Sequence, residues 1–164
     1  ESDLTDRSFL SVELIYGFAD TVDIEDVRQV LDMQIDYNMA ISEEGLKNDY
    51  GANIGTVLLK SGRDVMEHGG EPALRLKARA MAAAGSDARM NGCGLPVIIN
   101  SGSGNQGITA SVPVIVYARA MGVSREKLYR ALVLSNLLGI HQKTPIGRLS
   151  GERGGCRRLR HCLP

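Results

Sequence analysis

The stretch Asn100-Ser101-Gly102-Ser103-Gly104-Asn105 contains only glycines, hydroxyls and carboxamides, and it runs straight into a segment with helical character, residues 106–121. A Gly/Ser loop that opens a helix presents backbone N–H groups with no partner inside the helix, at the positive end of its dipole. Such a place suits an anion, either carboxylate or phosphate. Asn100, Ser101, Ser103 and Asn105 add neutral hydrogen-bonding side chains around it. The same residues also read as a glycine-rich turn with Asn105 as helix N-cap, and spacing alone leaves both readings open.

Further along, His141, Lys143 and Arg148 bring imidazole, ammonium and guanidinium into one short stretch that also holds Gln142, Thr144 and Ser150. That set can bind a carboxylate or shuttle a proton. It reads equally as the basic end of a helix, where cations complement the dipole. Cys93 lies between Gly92 and Gly94 and is either a nucleophile or base, or an inert small residue. Asp87 and Arg89 interrupt an Ala/Met-rich run and read as a buried pair or as a solvated face.

Gly102-x-Gly104-x-x-Gly107 follows the apolar run Val97-Ile98-Ile99, as a dinucleotide-binding fingerprint would. That fingerprint needs a second strand bearing an acid about 20 residues on. Here Gly122-Val123-Ser124 leads directly into another helix, and the nearest acid, Glu126, falls in its first turn. No Walker lysine follows the loop. A dinucleotide module stays as an alternative that flanking parallel strands would decide.

The elements that must position these groups are mostly helices. Residues 8–19 carry Phe9, Val12, Ile15 and Tyr16 at helical spacing. Asp23 is placed to cap a helix that runs to about Lys47 on the stripe Val27, Leu31, Ile35, Met39. Residues 52–60 predict a weaker helix broken by Gly55, and residues 62–72 read as a loop. Pro72 suits a helix start, followed by helix over 73–90. Pro113 should kink the 106–121 helix unless regular turns begin there. Gly122 ends it, and Ser124 caps a last helix to about Ile140. Only the 97–99 run argues for a strand, so the fold class is mainly α.

Composition bounds the rest. At 164 residues the chain allows one domain with a real core. Lys plus Arg and Asp plus Glu balance at 19 each, so no nucleic acid or anionic membrane partner is implied. No apolar run approaches the roughly 20 residues of a membrane helix, and no signal peptide is visible. Cys93, Cys156 and Cys162 make no disulfide framework, which favours a reducing, cytoplasmic compartment. With no Trp and 4% aromatics, the core must pack through small side chains. The chain opens at Glu1 and is expected to be a piece of something longer.

The segment AMAAAGSDARMNGCGLPVIINSGSGNQGITASVPVIVYA, with EEGLKNDYGANIGTVLL before it and ALVLSNLLGIHQKTPIGRLS after it, closely resembles the bacterial L-cysteine desulfidases. Those belong with the catalytic α-domain of iron–sulfur-dependent L-serine dehydratases. The resemblance covers residues 10–150 and implies a helical bundle-like portion of that catalytic domain. It implies β-elimination from a small L-amino acid, giving pyruvate and ammonia from serine, and sulfide as well from cysteine. The implied cofactor is a 4Fe–4S cluster on three cysteines with one iron free as Lewis acid. By resemblance, Asn100, Ser101, Gly102, Ser103, Gly104 and Asn105 form the substrate-carboxylate cradle. His141, Lys143, Arg148, Ser150 and Cys93 are family site residues, and Cys93 is not expected to ligate the cluster. The full-length protein is expected to form a homo-oligomer.

After Ser150 the family pattern continues with small residues and a Gly-Cys-Gly motif, whereas this chain has GERGGCRRLRHCLP. GC-rich codons for its last residues, read one base later, spell the family motif, so a frameshift is expected. Residues 1–150 then form a partial catalytic domain, and 151–164 a divergent, disordered tail. Cys156, Cys162 and His161 lack the second ligand pair of a zinc site. The cluster ligands are expected to be absent from this chain, and the isolated chain to be inactive. The rival reading is a non-catalytic helical remnant that at most binds a small anion.

Overall fold

The computed structural model describes residues 10–143. They form seven helices: α1 (Val12–Thr21), α2 (Ile24–Lys47), α3 (Ile54–Ser61), α4 (Arg63–His68), α5 (Gly70–Met90), α6 (Gly104–Met121) and α7 (Arg125–Lys143). No strand occurs among the described residues, and the fold is mainly α. Thr144, Arg148, Ser150 and the expected tail at 151–164 lie outside the described residues.

Helix α2 forms for the reasons its sequence states. The Asp23 carboxylate accepts the Glu25 N–H at 3.0 Å, acids fill the first turn and Lys47 the last. Leu31, Ile35 and Met39 are buried, as the stripe predicts. Beside that stripe runs a second buried row, Gln34, Asn38 and Ser42, four residues apart. Gln34 and Asn38 of this seam are what α2 offers to the site described below.

The alanine-rich α5 packs against α2, α3, α4 and α6. Close approach is possible because glycines face it. A Cβ on Gly45 of α2 would lie 2.1 Å from the Ala84 carbonyl oxygen, and one on Gly55 of α3 would lie 2.4 Å from that of Ala80. The expected break at Gly55 is therefore corrected: it is a buried residue inside α3, kept small by helix packing. The expected loop at 62–72 is also corrected. It folds as α4, bounded by Gly62 and Gly69, and α5 starts at Gly70, with Pro72 in a first turn that needs no N–H from it.

Two features place the loop at 100–105. Residues 97–99 are not a strand; they are extended backbone served by a side chain. Asn38 Oδ1 accepts the Ile98 N–H at 2.9 Å, and Asn38 Nδ2 donates to the Ile98 carbonyl at 3.2 Å. Gly107 lets α6 approach this segment, since a Cβ there would sit 2.0 Å from the Ile98 carbonyl oxygen. Helix α6 runs through Pro113 as one element. Pro113 leaves the Thr109 carbonyl without its helical donor, and one residue on, the Ser135 hydroxyl of α7 donates to the Ala110 carbonyl at 2.7 Å.

Candidate functional site

Residues Asn100 to Ser103 close a tight turn with two reciprocal backbone bonds, Asn100 N–H to Ser103 O at 3.1 Å and Ser103 N–H to Asn100 O at 3.0 Å. Its central residues, Ser101 (φ 49°) and Gly102 (φ 79°), are both left-handed, the pattern of a type I′ turn. Gly102 takes this conformation without steric cost, and Ser101 bears it as a non-glycine. Ser103, rather than the expected Asn105, is the N-cap: its hydroxyl accepts the Gln106 N–H at 3.3 Å.

Of the six N–H groups from Asn100 to Asn105, those of Asn100 and Ser103 are paired inside the turn. Those of Ser101, Gly102, Gly104 and Asn105 have no hydrogen bond among the described residues. Gly104 and Asn105 open α6, so their N–H groups stand at its positive end.

Two cations reach this place. Arg89, from the last turn of α5, donates to Asn105 Oδ1 at 3.1 Å. Its Nε lies 2.2 Å from where a Cβ on Gly104 would be, so Gly104 keeps room for the guanidinium. Asp87 does not pair with it; that carboxylate accepts the Ile54 N–H at 2.7 Å and caps α3. Lys143, buried at the end of α7, donates to the Ser101 carbonyl at 2.8 Å. His141 is half-buried two residues before it, so one helix end carries both groups.

Behind the turn lies a carboxamide network. Asn100 Nδ2 donates to Asn136 Oδ1 at 2.9 Å and to the Asn136 carbonyl at 3.0 Å. Asn136 and Gln34 exchange two side-chain bonds of 2.7 and 3.0 Å. Asn100 Oδ1 is buried and has no partner among the described residues. Gln34, Asn38, Asn136 and Arg89 were not legible as site residues. Their signal was a carboxamide or cation set within an apolar or alanine-rich helical stretch.

Cys93 sits elsewhere. Its N–H donates to the Ala88 carbonyl at 3.0 Å, and its thiol meets the Tyr50 hydroxyl. Contact with Cys93, and then the bond to Glu44 at 3.1 Å, push Tyr50 up to about 12. No hydrogen bond among the described residues links Cys93 to the 100–105 turn. Cys93 is also the one cysteine described, and no group of three His, Cys, Asp or Glu side chains is assembled among the described residues. These residues do not fit a 4Fe–4S cluster.

A groove of about 350 Å³ adjoins the turn, walled by Asn100, Ser101, Gln34 and Asn136 and by apolar residues of α1, α2 and α7. A larger cavity of about 600 Å³ lies between α2, α5 and α6 around Met39, Leu74 and Met81, and contains none of the turn residues. That cavity also carries Glu43, Lys47, Lys77 and Arg119, whereas the smaller groove is the one lined by Asn100 and Ser101 of the turn; Gly104, Asn105 and Arg89 do not line it.

The glycine fingerprint is explained without a nucleotide. Gly102 supplies a positive φ, Gly104 makes room for Arg89, and Gly107 allows contact with Ile98. With no flanking strand among the described residues, the dinucleotide alternative is overturned. No helix among the described residues is long and apolar enough to cross a membrane.

The family model described as serine dehydratase alpha chain matches residues 5–158. The UPF0597 protein of Desulfitobacterium hafniense (strain Y51) is 61% identical over 154 residues, which are 93% of this chain and 34% of that protein. The UPF0597 protein of Lachnoclostridium phytofermentans is 55% identical over 150 residues, 91% of this chain and 34% of its own length. That of Treponema denticola is 52% identical over 151 residues, 92% and 34% respectively. The chain thus spans about a third of the length of these relatives. No solved structure matches it. With a match over nearly its whole length, the chain belongs to the serine dehydratase alpha chain family.

Proposed function

We propose that this chain carries the carboxylate-binding part of a lyase that performs β-elimination on a small L-amino acid. The substrate is L-serine, giving pyruvate and ammonia, or L-cysteine, giving sulfide as well. The observation that supports this is the pair of unpaired N–H groups on Gly104 and Asn105 beside the Arg89 guanidinium. Backbone donors at a helix N-terminus and a planar guanidinium both suit a carboxylate. Arg89 orients Asn105 and offers its remaining donors to the anion. Lys143 pins the turn through the Ser101 carbonyl, and with His141 it supplies groups for proton movement at the α7 end. Arg148 and Ser150, outside the described residues, complete the proposed substrate set.

In the family-length protein a 4Fe–4S cluster would act as Lewis acid on the leaving group. Its ligands would lie outside this chain. The proposal places the working protein in the cytoplasm as a homo-oligomer, with no nucleic acid or membrane partner.

The test is amide chemical-shift mapping of the chain with L-serine, L-cysteine, D-serine and sulfate. The expected result is a set of shifts confined to residues 101–106, larger for the L-amino acids, with Arg89→Ala weakening binding at least fivefold. Equal response to sulfate and to all amino acids would favour the anion-binding remnant. No response at millimolar ligand would defeat both readings.

A further inference from the structure

Helix α1 carries one narrow polar stripe, Glu13 and Asp20 seven residues apart, and is apolar elsewhere. Ile15 and Ala19 are buried, and the helix packs on α7. Yet Val12, Leu14, Tyr16 and Phe18 are each at least half exposed. The apolar part is far wider than the single stripe a surface helix needs to bury against one neighbour. The apolar surface does not stop there. Val30 of α2 and Ile99 of the extended segment are more than half exposed, and both line the groove beside the turn together with Phe18, Leu137 and Ile140. Asp26 is the one charged side chain in that lining. A continuous apolar patch of this kind marks an interaction site rather than a solvated face.

We propose that this face docks the polypeptide corresponding to the two thirds of the relatives' length that this chain does not span, and that the docked part forms the missing wall of the Asn100–Ser101 groove. Three observations carry it. The relatives possess that length: the matched region is 34% of each of the three most similar described above. The groove lining holds one charge, Asp26, and the few charges on the face are acidic, so its partner is apolar protein rather than an anionic ligand. It is also continuous with the groove that holds Asn100 and Ser101, and ligand sites form preferentially where two structural units meet. The inference rests on family membership and on the exposed surface, not on the lyase reading.

The first test uses the full-length Desulfitobacterium hafniense relative with p-benzoylphenylalanine at the position matching Tyr16, irradiated and mapped by mass spectrometry. A mixture of isotopically light and heavy protein separates contacts within one chain from contacts between copies. Cross-links are expected to fall outside the matched third of the sequence. Cross-links confined to the matched third of a second copy, or none at all, would overturn the proposal. The second test compares maleimide labelling of Leu14→Cys in this chain with labelling of a cysteine at the matching position of the full-length relative, resolved by peptide. Labelling is expected to be at least tenfold slower in the relative, while a cysteine matching the exposed Glu25 labels alike in both. Equal rates at the Leu14 position, or slow labelling in this chain accompanied by dimer formation, would overturn it. Neither readout depends on turnover.

Discussion

Asn38 of α2 binds both backbone groups of Ile98 and also donates to the Ser111 hydroxyl of α6 at 2.9 Å. One fully buried carboxamide thereby does what a neighbouring strand would do for the chain entering the 100–105 turn. Without it the extended segment has a buried N–H and carbonyl to satisfy and nothing to satisfy them.

Replacing that side chain by an apolar one of similar size should be costly. Asn38→Leu leaves the Ile98 groups and the Ser111 hydroxyl short of partners, and a buried polar group so stranded costs about 1–3 kcal/mol. We expect about 3 kcal/mol lost in urea unfolding. Asn38→Asp keeps an acceptor for the Ile98 N–H but loses the donor, and should also destabilise. A loss under about 0.5 kcal/mol for Asn38→Leu would contradict the structural role.

Glycine positions should divide by what surrounds them. In Gly45→Ala the new methyl would meet the Ala84 carbonyl at 2.1 Å, which is backbone and cannot swing aside. Overpacking of this kind costs about 1–3 kcal/mol or drives the helices apart. Gly17 in α1 has nothing within 4 Å of a built Cβ. Gly17→Ala should therefore stabilise by about 0.5–1 kcal/mol through helix propensity. Thermal melts of the two variants should move in opposite directions.

Acid should weaken the α2–α7 contact. Asp32 accepts from the Tyr129 hydroxyl at 2.5 Å and from Arg125 at 2.6 Å. These bonds, Tyr129's first, hold its carboxyl below the usual carboxylate range. A carboxyl whose folded-state pKa is lowered stabilises the fold above its unfolded pKa, and that contribution is lost as pH falls through the folded value. The stability gap between the native chain and Asp32→Asn should be constant from about pH 7 to about pH 5 and shrink below about pH 4. A gap that widens on acidification would be the wrong sign. High salt should reduce it, because the pair is partly exposed.

Supplied anaerobically with iron and sulfide, the chain alone is expected to hold no stable 4Fe–4S cluster and to release no pyruvate from serine or cysteine. The reason is the ligand set: one described cysteine, beside Tyr50. Stoichiometric iron with cluster absorbance, together with pyruvate formation, would show a working lyase in this piece.

Helix α2 was legible almost to the residue, because Asp23, the four-residue apolar steps and Lys47 all point the same way. The helices after the turn were legible for the same reason, through Ser124 and Gly122. The reading failed where meaning depended on a distant partner. Gly55 reads as a breaker unless Ala80 and Ala84 are known to press on it. Val97-Ile98-Ile99 has strand composition, but its partner is an amide side chain 60 residues away. At the turn, the glycines and hydroxyls left an anion cradle and a plain glycine-rich turn both open, while the cation beside the turn, Arg89, is brought there by α5–α6 packing that local spacing does not encode.

Gln34 and Asn38 behave as an index for assembly. Apolar stripes tolerate sliding, since one leucine step resembles the next. Gln34 must find Asn136, and Asn38 must find Ile98 and Ser111. A slip of one helical turn would offer each amide the wrong counterpart and strand buried dipoles at every step. Polar groups in an apolar interface can fix register in this way, at some expense of stability. The consequence reaches the loop: because Gln34 addresses Asn136 and Asn136 addresses Asn100, the axial setting of α2 and the position of the turn are one quantity. A variant that loosens the seam should blur the location of the turn before it melts the bundle.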